Sequence, residues 1–199
     1  MARPREFDEE AVLDAAIGCF WSRGYESTSV RDLATQMGIT GASLYNAFGD
    51  KRSLYETSLR AYVERRLIDR IRRCETLPPR QAIAQFLGEV VQHSVTDADC
   101  KGCMLINAAV AGIPEDPALR ALVTAALGEI ESFFRRMAEH GQRDGSIAMR
   151  STADDIARHL LGVLIGVRVL ARSRPEPALL NGIVQTALTA LEDPARRRE

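Results

Sequence analysis

Residues 29–51, SVRDLATQMGITGASLYNAFGDK, set two short amphipathic segments on either side of a single glycine. Val30, Leu33, Ala34 and Met37 fall at the i, i+3, i+4, i+7 spacing of a core-facing stripe, predicting a first helix over residues 29–37. Ser29 with Asp32 three positions on forms a capping pair, with Thr28 as the alternative cap. Gly38 supplies the left-handed backbone that ends a helix without a Cβ penalty. Thr40 then caps a second helix reaching Phe48, with Leu44, Ala47 and Phe48 inward and Ile39 filling the angle between the two. The smallness of Ala34 lets the helices approach at the steep crossing of a helix-turn-helix.

What remains outward on the second helix is Gly41, Ala42, Ser43, Tyr45 and Asn46, a small and polar surface with one aromatic ring. It carries no bulk that would keep it out of the major groove of double-stranded DNA. Ser43 can bond to either base, Asn46 can pair with adenine, and Tyr45 can reach a phosphate or pack on a thymine methyl. Lys51 and Arg52 open the next helix, where side-chain cations and free backbone N–H groups both favour a phosphate.

Residues 8–55 resemble the DNA-binding domain of the TetR family of bacterial one-component regulators. An opening helix runs into CFWSRGYESTSV, the helix-turn-helix follows, and LYNAFGDKRSLY completes the pattern. The resemblance implies Thr40, Ala42, Ser43 and Tyr45 as operator contacts and Lys51 as a phosphate contact. Ala47 departs from the pattern, because a methyl group cannot make the backbone contact of the histidine or tyrosine common there; the neighbouring Asn46 can compensate. The resemblance further implies a homodimer on a palindromic operator, repression, and release by a small-molecule effector. Arg3 and Arg5 precede the first helix, either as an arm on the DNA or as a solvated tail.

Charge argues in the other direction. The net charge is -1, and within residues 1–52 Arg3, Arg5, Arg23, Arg31, Lys51 and Arg52 are outnumbered by Glu6, Asp8, Glu9, Glu10, Asp14, Glu26, Asp32 and Asp50. Such a balance excludes a generally basic nucleic-acid binder. It fits a specific dimeric reader with modest nonspecific affinity, and it leaves room for a helical interaction protein that does not read DNA.

Strand signals are scarce, so the expected fold is all-α. An N-terminal three-helix helix-turn-helix domain is expected over residues 1–50, and a C-terminal helical ligand-binding and dimerisation domain over 51–199. A long helix over 50–74 links them, and further helices are expected to about Val95 and over 103–111, stopping before Gly112 and Pro114. Another is expected over 117–140, ended by a loop over 141–145. The last two are expected over 152–172, with Ser151 and Asp154 as a capping pair, and over 176–191. Arg196, Arg197 and Arg198 read as a solvated tail.

The helix around Ile156, Leu160, Leu161, Leu164 and Ile165 is apolar over much of its circumference, with Gly162 and Gly166 four apart on one side. Stacked with Leu180, Ile183, Val184, Ala187 and Leu188, it predicts a four-helix dimer interface. A ligand pocket among the other C-terminal helices is expected to use Phe86, Val90, Cys103, Met104, Asn107, Phe133 and Met137, although such stripes also make plain core. Cys103 opens a short helix beside Lys101, where it is either a thiolate sensing electrophiles or oxidants, as in some members of the resembled family, or a small core residue.

A single CxxC (Cys100, Cys103) supplies half a tetrahedral shell, so no metal and no cofactor is expected. His93, His140 and His159 sit in no catalytic motif, and no enzyme is expected. The longest apolar run, 160–167, is far short of the roughly 20 residues that span a bilayer. With no signal-peptide pattern and no secreted disulfide spacing among Cys19, Cys74, Cys100 and Cys103, a cytoplasmic protein without a membrane partner is expected.

Overall fold

The computed structural model describes residues 8–111 and 116–192, all of whose regular elements are helical. Arg3, Arg5, Gly112, Pro114 and Arg196–Arg198 lie outside the described residues. The opening helix α1 (Glu9–Arg23) is capped by the Asp8 carboxylate, which accepts from the backbone of Glu10 and Ala11. It buries Val12, Ala16, Ile17, Cys19 and Phe20 against α2 (Val30–Met37) and α4 (Lys51–Tyr62). Between these lies α3 (Gly41–Phe48). Edge-to-face packing of Phe20 on Tyr55, with ring centres 5.0 Å apart, pins α4 beneath the first three helices.

The long helix expected over 50–74 forms, but not in one register. α4 runs through a π-helical turn, Val63–Ile68, into α5 (Asp69–Cys74), with right-handed helical dihedrals at each junction. Tyr62 and Val63 are both buried where the π turn begins, which holds one residue more than an α turn. No glycine or proline marks the turn in the sequence VERRLI.

The remaining helices wrap the lower half of this rod. α6 (Pro79–Thr96) starts with proline in its first turn, where a missing N–H costs nothing. α7 (Met104–Val110) is followed by α8 (Pro117–Asp144), which is capped by Asp116. α9 (Ala153–Ser173) and α10 (Pro177–Ala190) complete the fold. Phe86 of α6 meets Phe133 and Phe134 of α8 at ring-centre distances of 5.2 and 5.3 Å, forming an aromatic knot in the core.

Two expected boundaries are corrected. α8 does not end at a 141–145 loop: Gly141 lies inside the helix, because Ile147 folds back so closely that a Cβ at 141 would sit 2.6 Å from its side chain. The left-handed cap is Gly145 (φ 77°). The cap of α9 is Thr152, which accepts from Asp155 N, rather than Ser151 with Asp154. The Ser151 carbonyl is held by Gln142 Nε2 at 2.8 Å, which fixes the chain one residue before the helix opens. No helix among the described residues is long and apolar enough to cross a membrane.

Candidate nucleic-acid interface and interior cavity

α2 begins with a full capping box: Ser29 Oγ accepts from Asp32 N, and the Asp32 carboxylate accepts from Ser29 N at 2.9 Å. Thr28, the alternative cap, is buried and donates to Gly24 O instead. At the other end Gly38 adopts φ 65°, ψ 26°, with Ile39 N bonded to Ala34 O and Gly38 N to Thr35 O. This paired closure is a Schellman motif, and it turns the chain directly into α3. Thr40 caps α3 through Ser43 N at 3.1 Å.

Leu33 and Leu44 are fully buried where the two helices meet, and Ile39 packs against the same core. The opposite side of α3 is open. Tyr45 is 53% exposed, Thr40, Ala42 and Asn46 are exposed, and Gly41 and Ser43 are half-exposed. The Ser43 hydroxyl is shared with Thr40 Oγ1 at 2.9 Å. At Gly41 an added Cβ would meet nothing within 4 Å, so packing inside the chain does not demand a glycine there.

Five of the eight acidic residues in that count are engaged within the chain. Asp8 and Asp50 cap helices, Asp32 serves the capping box and Arg23, and Glu10 and Asp14 hold Arg65 of the π turn. Lys51 lies over the Tyr25 ring at 4.3 Å, beside the end of α3. Arg52 is a correction: it is not a free phosphate ligand, because the Asp116 carboxylate grips its guanidinium, with Nη2 to Oδ1 at 2.6 Å. That hydrogen bonding holds the Asp116 carboxyl well down, at about 2.

A cavity of about 250 Å³ lies beneath this domain. Trp21 of α1, Tyr62 and Val63 at the π turn, Phe86 and Val90 of α6, Ile106 of α7, Ile130 of α8 and Leu164 of α9 supply its apolar wall. Arg66, Arg70, His93, Lys101, Cys103 and Arg168 supply its polar one. Arg70 pairs with Glu89 at 3.0 Å. Lys101 Nζ is held by Asp97 at 3.1 Å and Asp99 at 2.7 Å, so its charge is engaged by carboxylates rather than aimed at the Cys103 thiol. Desolvation, then the nearby Arg70, Arg168 and Arg66 guanidiniums, lower the His93 imidazole below its ordinary range. The Tyr62 hydroxyl donates to Cys103 Sγ at 3.6 Å, and burial, then Cys103, raises the Tyr62 phenol.

Of the residues expected around a pocket, Phe86, Val90 and Cys103 line this one. Met104, Phe133 and Met137 are buried in the core away from its wall. Asn107 instead donates to Lys101 O and accepts from Arg172. Sequence reasoning missed Trp21, Tyr62 and the three arginines. Only Arg168 left a trace, a lone charge inside the apolar run VLIGVRVLA.

Among the residues expected at a dimer interface, Leu160, Leu164, Leu180, Val184 and Ala187 are buried in the chain's own core, while Leu161, Ile165 and Ile183 are half-buried. An open apolar groove runs beside them between α9 and α10, lined by His159, Val163, Leu179, Gly182, Ile183 and Thr186.

Comparison with known proteins follows the same division. A family model described as bacterial regulatory proteins, tetR family, matches residues 12–57. The uncharacterized HTH-type transcriptional regulator YezE of Bacillus subtilis (strain 168) is 29% identical over 96% of this chain and 100% of its own. The HTH-type transcriptional repressor ComR of Escherichia coli (strain K12) is 27% identical over 95% of this chain and 90% of its own. Among solved structures, a cysteine mutant of the TetR family transcriptional regulator CifR, complexed with 26 bp double-strand operator DNA, superposes with a TM-score of 0.85. It is 34% identical, covering 96% of this chain and 100% of that one.

Proposed function

Because the chain belongs to the TetR family of bacterial regulatory proteins, we propose that it is a transcriptional repressor that reads a palindromic operator as a homodimer and is released by a small-molecule effector. The observation that carries the reading is α3: anchored by buried Leu44, it presents Thr40, Ala42, Tyr45 and Asn46 exposed, with Gly41 and Ser43 half-exposed between them. Lys51, one turn beyond, is the phosphate contact. A single such helix reads only a few base pairs, so specificity requires doubling across two half-sites. The α9–α10 groove is the face for the second copy.

The cavity is the effector site, and the rod α4–π–α5 is the connection. Val63, Arg66 and Leu67 line the cavity on the same continuous helix whose first turn carries Lys51. Two ion pairs hold the rod to its surroundings, Arg65 with Asp14 of α1 and Arg52 with Asp116 at the start of α8. A ligand that fits the cavity better when the rod is displaced shifts the population away from the operator-fitting geometry.

The test is selection of bound fragments from random double-stranded DNA, followed by anisotropy titration in a salt series. The reading requires a palindromic consensus, a steep loss of affinity with salt, and a dimer by analytical ultracentrifugation. A protein retaining no fragment selectively would instead be the helical interaction protein. A second reading of the input is favoured by Cys103 standing in the cavity wall under the Tyr62 hydroxyl: the effector is an electrophile or oxidant captured by that thiol. Operator release by electrophiles that survives Cys103→Ser removes it.

A further inference from the structure

Two buried donors at the cavity, the Arg168 guanidinium and the Trp21 indole, are left with spare bonding capacity. Arg168 is only 7% exposed, and its sole hydrogen-bond partner among the described residues is the neutral Ser94 hydroxyl at 3.2 Å. Ser94 in turn donates to Val90 O, so no carboxylate stands behind it. Arg70 is buried to the same degree, but Glu89 neutralises it. The indole Nε1 of Trp21 is also buried without an acceptor. Asp97, the acid on the wall, is already engaged by the Lys101 ammonium, the Lys101 N–H and the Asp99 N–H. A buried guanidinium without a counter-ion is strongly unfavourable, and an unbonded buried indole N–H adds to the cost.

We infer that the effector is a small apolar carboxylate, its carboxylate seated on Arg168 and its hydrocarbon body against Trp21, Phe86 and Leu164. This rests on the effector reading above and narrows its chemical class. A planar guanidinium matches a carboxylate with two parallel hydrogen bonds, which a neutral amide cannot reproduce. The apolar wall excludes a bare inorganic anion, which would leave Phe86 and Leu164 facing empty space. The cavity, at about 250 Å³, suits a one- or two-ring acid rather than a long chain.

The experiment uses the full chain with matched pairs, benzoate with benzamide and 1-naphthoate with 1-naphthamide, and with inorganic phosphate. Binding is read by calorimetry, and release by anisotropy of the selected operator. At least one acid is expected to bind about tenfold or more tighter than its amide, as a charge-assisted pair requires, and to release the operator. In Arg168→Met that ratio falls to about one, and the melting temperature of the ligand-free protein rises, because an uncompensated buried charge has been removed. A structural arginine would give a lower melting temperature and an unchanged ratio. Equal binding of acid and amide, with release, overturns the carboxylate assignment while sparing the effector reading. Phosphate binding as tightly as the acids overturns the apolar body. Binding by neither series overturns the assignment and counts against the effector reading too. The comparison on the unmodified chain decides the matter even if Arg168→Met does not fold.

Discussion

The guanidinium of Arg52, in the first turn of the rod that follows the reading helix, closes on the carboxylate of Asp116, which caps α8 64 residues later. One residue thus serves two elements. Asp116 accepts from the backbone of Ala118 and Leu119 while binding Arg52.

Asp116→Asn separates those roles, because asparagine still caps a helix but cannot pair with an arginine. Arg52 then keeps only its looser pair with Glu56, at 3.6 Å, and can turn to meet a phosphate. Operator affinity at low salt should rise, and the slope of log affinity against log salt should steepen by about 1 per half-site. Operator release by the effector should weaken. An unchanged salt slope in an anisotropy titration would mean that Arg52 does not reach DNA.

The same carboxylate sets an acid response. Its folded value, about 2, lies below the ordinary carboxylate range near 4. Stability from the pair is therefore complete above about pH 4 and is lost as pH falls toward about 2. Thermal melts of Asp116→Asn should show a shallower decline across that window and, above it, a melting temperature uniformly below the parent's.

Gly38→Ala and Gly141→Ala should both destabilise, for unrelated reasons. At Gly38 nothing lies within 4 Å of an added Cβ, so the cost is the left-handed backbone (φ 65°), about 1–2 kcal/mol. At Gly141 the backbone is helical but Ile147 is in the way, so the cost is overpacking, about 1–3 kcal/mol. Adding Ile147→Val should recover part of the second loss and none of the first in denaturant titrations.

Leu44 and Tyr45 are neighbours with opposite duties. Leu44→Ala removes a fully buried side chain and should lower stability by about 2–5 kcal/mol. Tyr45→Ala, at a side chain 53% exposed, should change stability by no more than about 0.5 kcal/mol yet weaken the operator complex. Equal operator affinity for Tyr45→Ala and the parent would remove Tyr45 from the interface.

Glu89→Gln leaves Arg70 buried without its counter-charge. Pairs broken in this way cost about 3–5 kcal/mol when fully buried, and the 22% exposure of Glu89 reduces the expectation to about 2 kcal/mol or slightly more. Denaturant midpoints at constant slope would measure it.

How much of this could be read from sequence depended on how local the cause was. The Ser29–Asp32 box, the Gly38 turn and the Thr40 cap are written within a few residues of one another, and the helix-turn-helix was legible for that reason. The place of Gly141 depends on Ile147 folding back, and the shift from Ser151 to Thr152 depends on Gln142 reaching across. The cavity was least legible. Trp21 comes from the first helix and Arg168 from the ninth, and periodicity marks inward positions without telling which face a void and which face other side chains. Several expected dimer residues went to the chain's own core because an apolar stripe does not announce how many layers cover it.

The π turn at Val63–Ile68 is slack stored in the rod. It takes up one residue more than an α turn, so excising one position there would let the rod close as unbroken α-helix, with Tyr55 still on Phe20 and Arg70 still beside Glu89. The loss would fall on the stretch between, where Val63, Arg66 and Leu67 shape the cavity wall. A chain shortened by that one amino acid would keep both of its ends and forfeit the outline of the space between them.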